Sequence, residues 1–419
     1  MSAGILTTIT PELDSFASRY RPLFGRPELQ AHSGRYLSGL LGPSKRKSIE
    51  PMALDQDQSI RGLQRFASRG SWMDQAVLAE HHRHVSETLG EESGILVLDS
   101  RGFPKQGRYS VGVARQYCGH VGKIENCQVG VFLGYAASRG HVLLNHRLYL
   151  PQEWENDINR RNRCYVPGFV HHKPSGELSL EMIQEVRSNG LPFEWVTGDE
   201  EFGKSTPLAD HLAAMGRAYI FEVPISMWVW TEPPRLKRAS QRSTGGSPHN
   251  QPVLLNGTSG HQSVKAAAEK MKGRWERIQI RQGSKGPIEI EAKRQVVWLT
   301  RHERPHRPAW LVVTRTLGPK PVTKYFLAEG HWHVSLLQWL KVAYSRWTIE
   351  DCFEQTGQQC GMGQYEVRSW TGWNHHMTMV LLAQHFLAAG RIRRKKKDAW
   401  DDGGANRLLS ADPAATPAN

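Results

Sequence analysis

The stretch Ile95-Leu96-Val97-Leu98-Asp99-Ser100-Arg101-Gly102-Phe103-Pro104 decides how this sequence is read: a short apolar run closes on an aspartate and is bounded by glycine and proline. Such a run reads as a β-strand. The pattern returns at Trp195-Val196-Thr197-Gly198-Asp199. Between the two, Tyr109 to Tyr117 and Gln128 to Tyr135 are strand-like, and Leu178 to Asn189 carries helical spacing. A further strand is expected over Tyr219 to Val223. Three strands followed by helix, strand, helix and strand make a mixed α/β core.

Working outward, residues 11–89 place apolar side chains at helical spacing, as in Leu37, Leu40, Leu41 and then Leu63, Phe66, Met73, Val77, Leu78. A helical N-terminal domain is expected over residues 1–90. It contains the basic run Lys45-Arg46-Lys47. After the core's first part, residues 91–228, the chain turns rich in Ser, Gly, Arg and Pro, including Ser243-Thr244-Gly245-Gly246-Ser247-Pro248. Strands over Val296 to Thr300, Trp310 to Thr316 and Thr323 to Leu327 complete a β-rich insertion with a flexible basic loop, residues 229–330. Residues 331–390 lack proline and should form long helices. The run Arg391-Ile392-Arg393-Arg394-Lys395-Lys396-Lys397 then opens a tail, 391–419, expected to be disordered.

The chain has 419 residues, enough for two or three domains at roughly 150 residues each. Apolar residues make up 39% and charged ones 22%, which excludes a mainly disordered chain. Lys and Arg number 54 against 40 Asp and Glu, a net charge of +14 that favours a polyanionic partner. No apolar run approaches the roughly 20 residues a bilayer requires, and no secretory signal is visible. Five scattered cysteines without a C-x-x-C pair fit a reducing cytoplasm better than a disulfide framework or a cysteine zinc site.

Asp99, Asp199 and Glu350, the last within Tyr344-Ser345-Arg346-Trp347-Thr348-Ile349-Glu350, are the acids of interest. Two aspartates at strand ends and a glutamate on a helix can converge on one sheet edge. Carboxylates suit Mg²⁺ or Mn²⁺, and two such ions about 3.5–4 Å apart drive in-line phosphodiester displacement. Each acid also has an ordinary explanation: a turn or cap for the aspartates, and an ion pair with Arg346 for Glu350. Gly198-Asp199-Glu200-Glu201-Phe202-Gly203-Lys204-Ser205 matches the phosphate-loop pattern, although its acids oppose triphosphate charge. The paired histidines, His81-His82-x-His84, His171-His172, His331-x-His333 and His375-His376, lack zinc-site spacing and are expected at the surface or facing DNA.

Leu96 to Lys105 and Ser110-Val111-Gly112-Val113-Ala114-Arg115-Gln116-Tyr117-Cys118-Gly119 resemble the first-aspartate block of bacterial insertion-sequence transposases of the DDE superfamily, most like the insertion-sequence 701 family. The resemblance continues through Glu125 to Val129, Val196 to Glu200, Arg346 to Glu354 and Tyr365 to Trp370. It implies a ribonuclease-H-like core interrupted by the β-rich insertion, cutting and joining DNA at element ends. Asp99, Asp199 and Glu350 correspond to the acidic triad that holds two Mg²⁺ or Mn²⁺ ions. Related transposases carry tyrosine, arginine, glutamate and lysine on the glutamate helix. Here Arg346 keeps its spacing, Tyr344 lies one residue closer to the arginine, and the lysine position is Gly357.

Double-stranded DNA, as element terminal repeats and as target, is the implied partner, bound by a homodimer. Arg346, Tyr344, Lys105, Arg115 and Arg368 are expected to meet phosphates, and Trp370 and Trp373 to offer stacking surface. Two alternatives stand beside this reading: a repurposed, non-catalytic DNA-binding regulator, favoured by Gly357, and a phosphate-loop nucleotide hydrolase.

Overall fold

The computed structural model describes residues 3–233, 235–237, 253–254, 260–283, 286–301 and 304–409. The chain begins with helices α1 (Ala3–Ser18), α2 (Pro27–Leu41), α3 (Ile49–Leu54), α4 (Ile60–Arg69) and α5 (Asp74–Leu89). Strands β1 (Ile95–Pro104), β2 (Ala114–Cys118), β3 (Lys123–Ala137) and β4 (Gly140–Tyr149) follow. The strand expected from Tyr109 begins only at Ala114, because Gly112 takes a left-handed φ of 72° and turns the chain just before it. Next come α6 (Ile158–Arg163), α7 (Ser175–Ser188), β5 (Trp195–Gly198), α8 (Glu200–Gly203), α9 (Thr206–Ala214) and β6 (Ala218–Glu222).

The inserted region supplies β7 (Trp228–Trp230), β8 (Leu236–Lys237), β9 (Val253–Leu254), β10 (His261–Ser263), α10 (Val264–Lys270), β11 (Glu276–Gly283), β12 (Gly286–Arg301), β13 (Arg304–Thr316) and β14 (Thr323–Glu329). The chain ends in α11 (Leu336–Ala343), α12 (Trp347–Gln359) and α13 (Trp370–Leu409). The loop Ser243 to Pro248 and residues 410–419 lie outside the described residues. The run Arg391 to Lys397, expected to open a disordered tail, instead continues α13; no proline interrupts it before Pro413.

One large mixed sheet organises the molecule, in the order β10-β7-β12-β13-β14-β6-β5-β1-β3-β2, with β4 on β3 and β11 on β12. β1, β5 and β6 are parallel neighbours; the pairs around them are antiparallel. Apart from β8 and β9, which pair with each other as a separate two-stranded sheet, the inserted strands extend the core sheet, because β14 pairs directly with β6. β1 shows why its apolar run is unbroken: Leu96 and Leu98 pack toward α7 and α9, and Val97 faces the opposite way, toward α12 and α13. Leu37, Leu40, Met52 and Phe66 of the N-terminal helices share a core with Met377, Val380 and Leu381 of α13. The five cysteines are buried and free. Among the described residues no helix is long and apolar enough to cross a membrane.

Candidate active site

Strand register builds the site. Leu98 pairs with Gly198, and Gly198 pairs with Phe221, so the next residues along the three parallel strands are Asp99, Asp199 and Glu222. Three acids thus stand side by side at the carboxyl end of the parallel pairing, the edge where open α/β sheets receive ligands. Asp99 is not at a strand end as expected, because β1 continues to Pro104 against β3; only its pairing with β5 stops at Leu98. Glu222 closes the apolar run Tyr219-Ile220-Phe221, so the signal that marks the two aspartates marks it as well, and sequence reasoning passed over it.

Each acid is held locally. Asp99 Oδ1 accepts the Ser100 amide at 2.8 Å, and Asp199 Oδ1 accepts the Glu201 amide at 2.9 Å as the cap of α8. Glu350 stands in the first turn of α12, its side chain 60% exposed. Between them lies Arg346, in the turn that leads into α12. Its Nη2 is 3.3 Å from Glu350 Oε1 and 3.9 Å from Asp99 Oδ2, and its Nη1 is 3.3 Å from Glu222 Oε2. One guanidinium therefore answers three carboxylates.

Burial pushes the Asp99 carboxyl up to about 7; Arg346 opposes this, while Asp199 and Glu350 add to it by like-charge repulsion. Asp199 is raised too, by burial first, with Arg346 again opposing and Glu201 adding to the rise. This all-oxygen, charge-crowded donor set fits a hard divalent cation in type and in sign. Among the described residues, however, no three acid, histidine or cysteine side chains already converge on one point.

A cleft of about 960 Å³ opens over Asp99 and Asp199. Ser100, Arg101, Gln116, Tyr117, His120, His172, Lys204 and Phe353 also line it, and none of them was among the site residues expected from the sequence. Of the expected DNA contacts, Arg346 is in the acidic row and Tyr344 is half-buried beside it, with its hydroxyl 3.1 Å from Thr314 Oγ1. Arg115 and Arg368 are exposed but do not line the cleft. Lys105 is half-buried with Nζ 3.5 Å from the Tyr365 ring centre, and burial brings its ammonium down to about 8. Trp370 is half-buried, and its amide donates to Cys164 O at 2.8 Å. Trp373 is fully buried, which corrects its assignment as a stacking surface: it packs edge-on to His146 in the core.

The phosphate-loop reading is corrected as well. Asp199 occupies the Glu201 amide with its side chain and those of Phe202 and Gly203 with its carbonyl, and the Lys204 amide is spent on Glu200 O. Few free amides remain to cradle a phosphate. The histidines divide in two: His331, His333 and His171 are exposed, whereas His81, His82, His375 and His376 are buried. Lys47 of the basic run is buried too, its ammonium donating to Gly42 O, while Arg46 pairs with Glu366.

A family profile described as DDE superfamily endonuclease matches residues 19–287, well over half of the chain. The chain belongs to the DDE superfamily of endonucleases. The match takes in Asp99 and Asp199 and ends before Glu350. Over 200 residues this DDE protein is 27% identical to a probable transposase for insertion sequence element IS701 from Microchaete diplosiphon, an alignment covering 46% of this chain and 48% of the relative. The chain thus spans about half the length of that relative. Among solved structures, the NurA nuclease from Sulfolobus solfataricus aligns at 9% identity over 67% of this chain and 90% of its own, with a TM-score of 0.25, a likeness too slight to carry an argument.

Proposed function

We propose that this DDE protein is a transposase that cuts DNA at insertion-sequence ends and joins it to a target, by phosphodiester hydrolysis followed by strand transfer. Its core is read as ribonuclease-H-like, with Asp99, Asp199 and Glu350 holding two Mg²⁺ or Mn²⁺ ions. The observation that carries this reading is the row of acids set by Leu98, Gly198 and Phe221, facing Glu350 across Arg346 beside a cleft of about 960 Å³. When bound, the ions supply the positive charge that activates a water or a 3′-hydroxyl and steadies the leaving oxygen. Asp99 and Asp199 hold that charge from the rigid sheet, and Glu350 reaches it from α12. Arg346, released from the carboxylates it now answers, has a guanidinium fork free to orient a phosphate. The helical N-terminal region and a second copy of the chain are assigned to holding the element ends, in the cytoplasm.

Cleavage of a supercoiled plasmid carrying the DNA that flanks this gene tests the reading, with Mg²⁺ or Mn²⁺ present. The native chain is expected to nick at defined ends, and Asp199→Asn and Glu350→Gln to reduce nicking below detection while still binding DNA. Binding without nicking by the native chain favours the repurposed regulator instead. That second reading draws on one observation: the carboxylates surround a guanidinium rather than converge.

A further inference from the structure

Asp99 and Arg101 lie two apart on β1 and share a face of the strand. That face meets α12, on which Glu350, Phe353 and Gly357 fall at i, i+3 and i+7 along one stripe. The Arg101 guanidinium rests on this stripe. Its Cζ is 5.3 Å from the Phe353 ring centre, and its Nη2 is 3.1 Å from where a Cβ on residue 357 would stand. Glycine at 357 is what leaves the guanidinium its place against the helix; a long side chain there would displace it.

Arg101 is half-buried, and among the described residues it has no hydrogen bond and no ion pair within bonding distance. Its neighbour Ser100 has a buried hydroxyl oxygen without a partner. Both line the cleft that holds Asp99 and Asp199. A guanidinium is charged at every physiological pH and presents five donors in a rigid fork. Taking it partly out of water with no hydrogen bond and only the Asp99 charge nearby is costly, a cost that an arriving anion lowers. Packing on Phe353 limits the plane of the fork before any ligand arrives, which lowers the ordering cost of binding. Arg346, by contrast, is already engaged by Glu222 and Glu350.

We propose that Arg101 is a phosphate-binding group of the cleft that takes a backbone phosphodiester of the bound DNA through its two-pronged fork. Gly357 is the space that lets it lie there. This rests on the DNA reading above, and the test separates the two. A labelled duplex of the flanking DNA is titrated with the full chain in EDTA, so that nothing is cut, across a series of salt concentrations, with folding checked by circular dichroism.

Arg101→Gln is expected to weaken binding about tenfold and to make the slope of log affinity against log salt shallower by about one. Arg101→Lys, which keeps the charge but not the fork, should keep the slope and lose only part of the affinity. Adding Gly357→Lys to Arg101→Gln should restore the slope by returning a cation to the same spot. Unchanged affinity and slope in Arg101→Gln overturn the proposal while leaving the DNA reading intact; a native chain that does not bind the duplex overturns both. Should Arg101→Gln fail to fold, Arg101→Lys decides: affinity equal to the native chain overturns the proposal, and a loss with an unchanged slope supports it.

Discussion

The acidic cleft and the histidine-rich core between α5, β4 and α13 bury titratable groups by the same physics, with opposite results. Burial is the largest influence in both: it pushes Asp99 up to about 7 and brings His81 down to about 4 and His82 down to about 3. The core answers each of its rings at one nitrogen from within, while the other ring nitrogen of His81 and of His146 is buried without a partner. His81 Nε2 donates to Leu143 O at 2.8 Å, His82 Nε2 donates to Leu144 O at 3.1 Å, and His146 Nε2 is 3.0 Å from Thr378 Oγ1. At the cleft, Asp99 shares one guanidinium with Glu222 and Glu350 of the neighbouring cavity, the Ser100 hydroxyl has no hydrogen-bond partner, and Arg101 rests on the Phe353 ring. What separates the two is access: the histidine rings are sealed in the core and serve the fold, whereas Asp99, Asp199 and Arg101 line a cleft that a ligand can enter.

Acid should strike the histidine core hardest. His81, His82, His84, His375 and His376 all have folded values below the ordinary 6.5, between about 3 and about 4, so the unfolded chain binds more protons in that interval. Their contribution is intact above pH 6.5 and is lost as pH falls toward 4. Thermal melts across pH 7.5 to 4 should show a steep cooperative loss of stability, and a flat profile would remove the distinction drawn here.

Next in size, Trp373→Ala should cost about 3–5 kcal/mol of unfolding free energy in urea, because the indole is fully buried against His146. A stable variant with weakened DNA binding would instead return Trp373 to the surface role expected of it. The smallest effect has the opposite sign. Asp99→Asn should stabilise the fold by about 1–2 kcal/mol at pH 8, where the buried carboxyl is ionised at a cost, while cleavage is lost. Loss of stability in that variant would place Asp99 with the core rather than with the cleft.

Much of this was legible in the sequence. The apolar runs that end on Asp99 and Asp199 mark strands and acids together, because a strand buried on both faces must be apolar until it reaches the sheet edge. The helical spacing of Leu37, Leu40 and Phe66 likewise announced the helices that bury them. The paired histidines misled, since a histidine looks the same in sequence whether water or a backbone carbonyl answers it. Trp370 and Trp373, three apart on a helix, differ in exposure only through what packs on each side.

The sequence by itself determined the strands that lead to Asp99 and Asp199, the N-terminal helices, the net positive charge, and the three acids named at the outset, because periodicity and residue chemistry are local properties. Tertiary structure alone decided that Glu222 joins the row, that Arg346 answers three carboxylates at once, and that Arg101 lies over Gly357. Those facts depend on pairing register, over 23 positions from Gly198 to Phe221 and 100 from Leu98 to Gly198, and on helix packing that brings Arg346 to Glu222 and Arg101 to Gly357 from more than a hundred positions away, and no local pattern encodes such pairings.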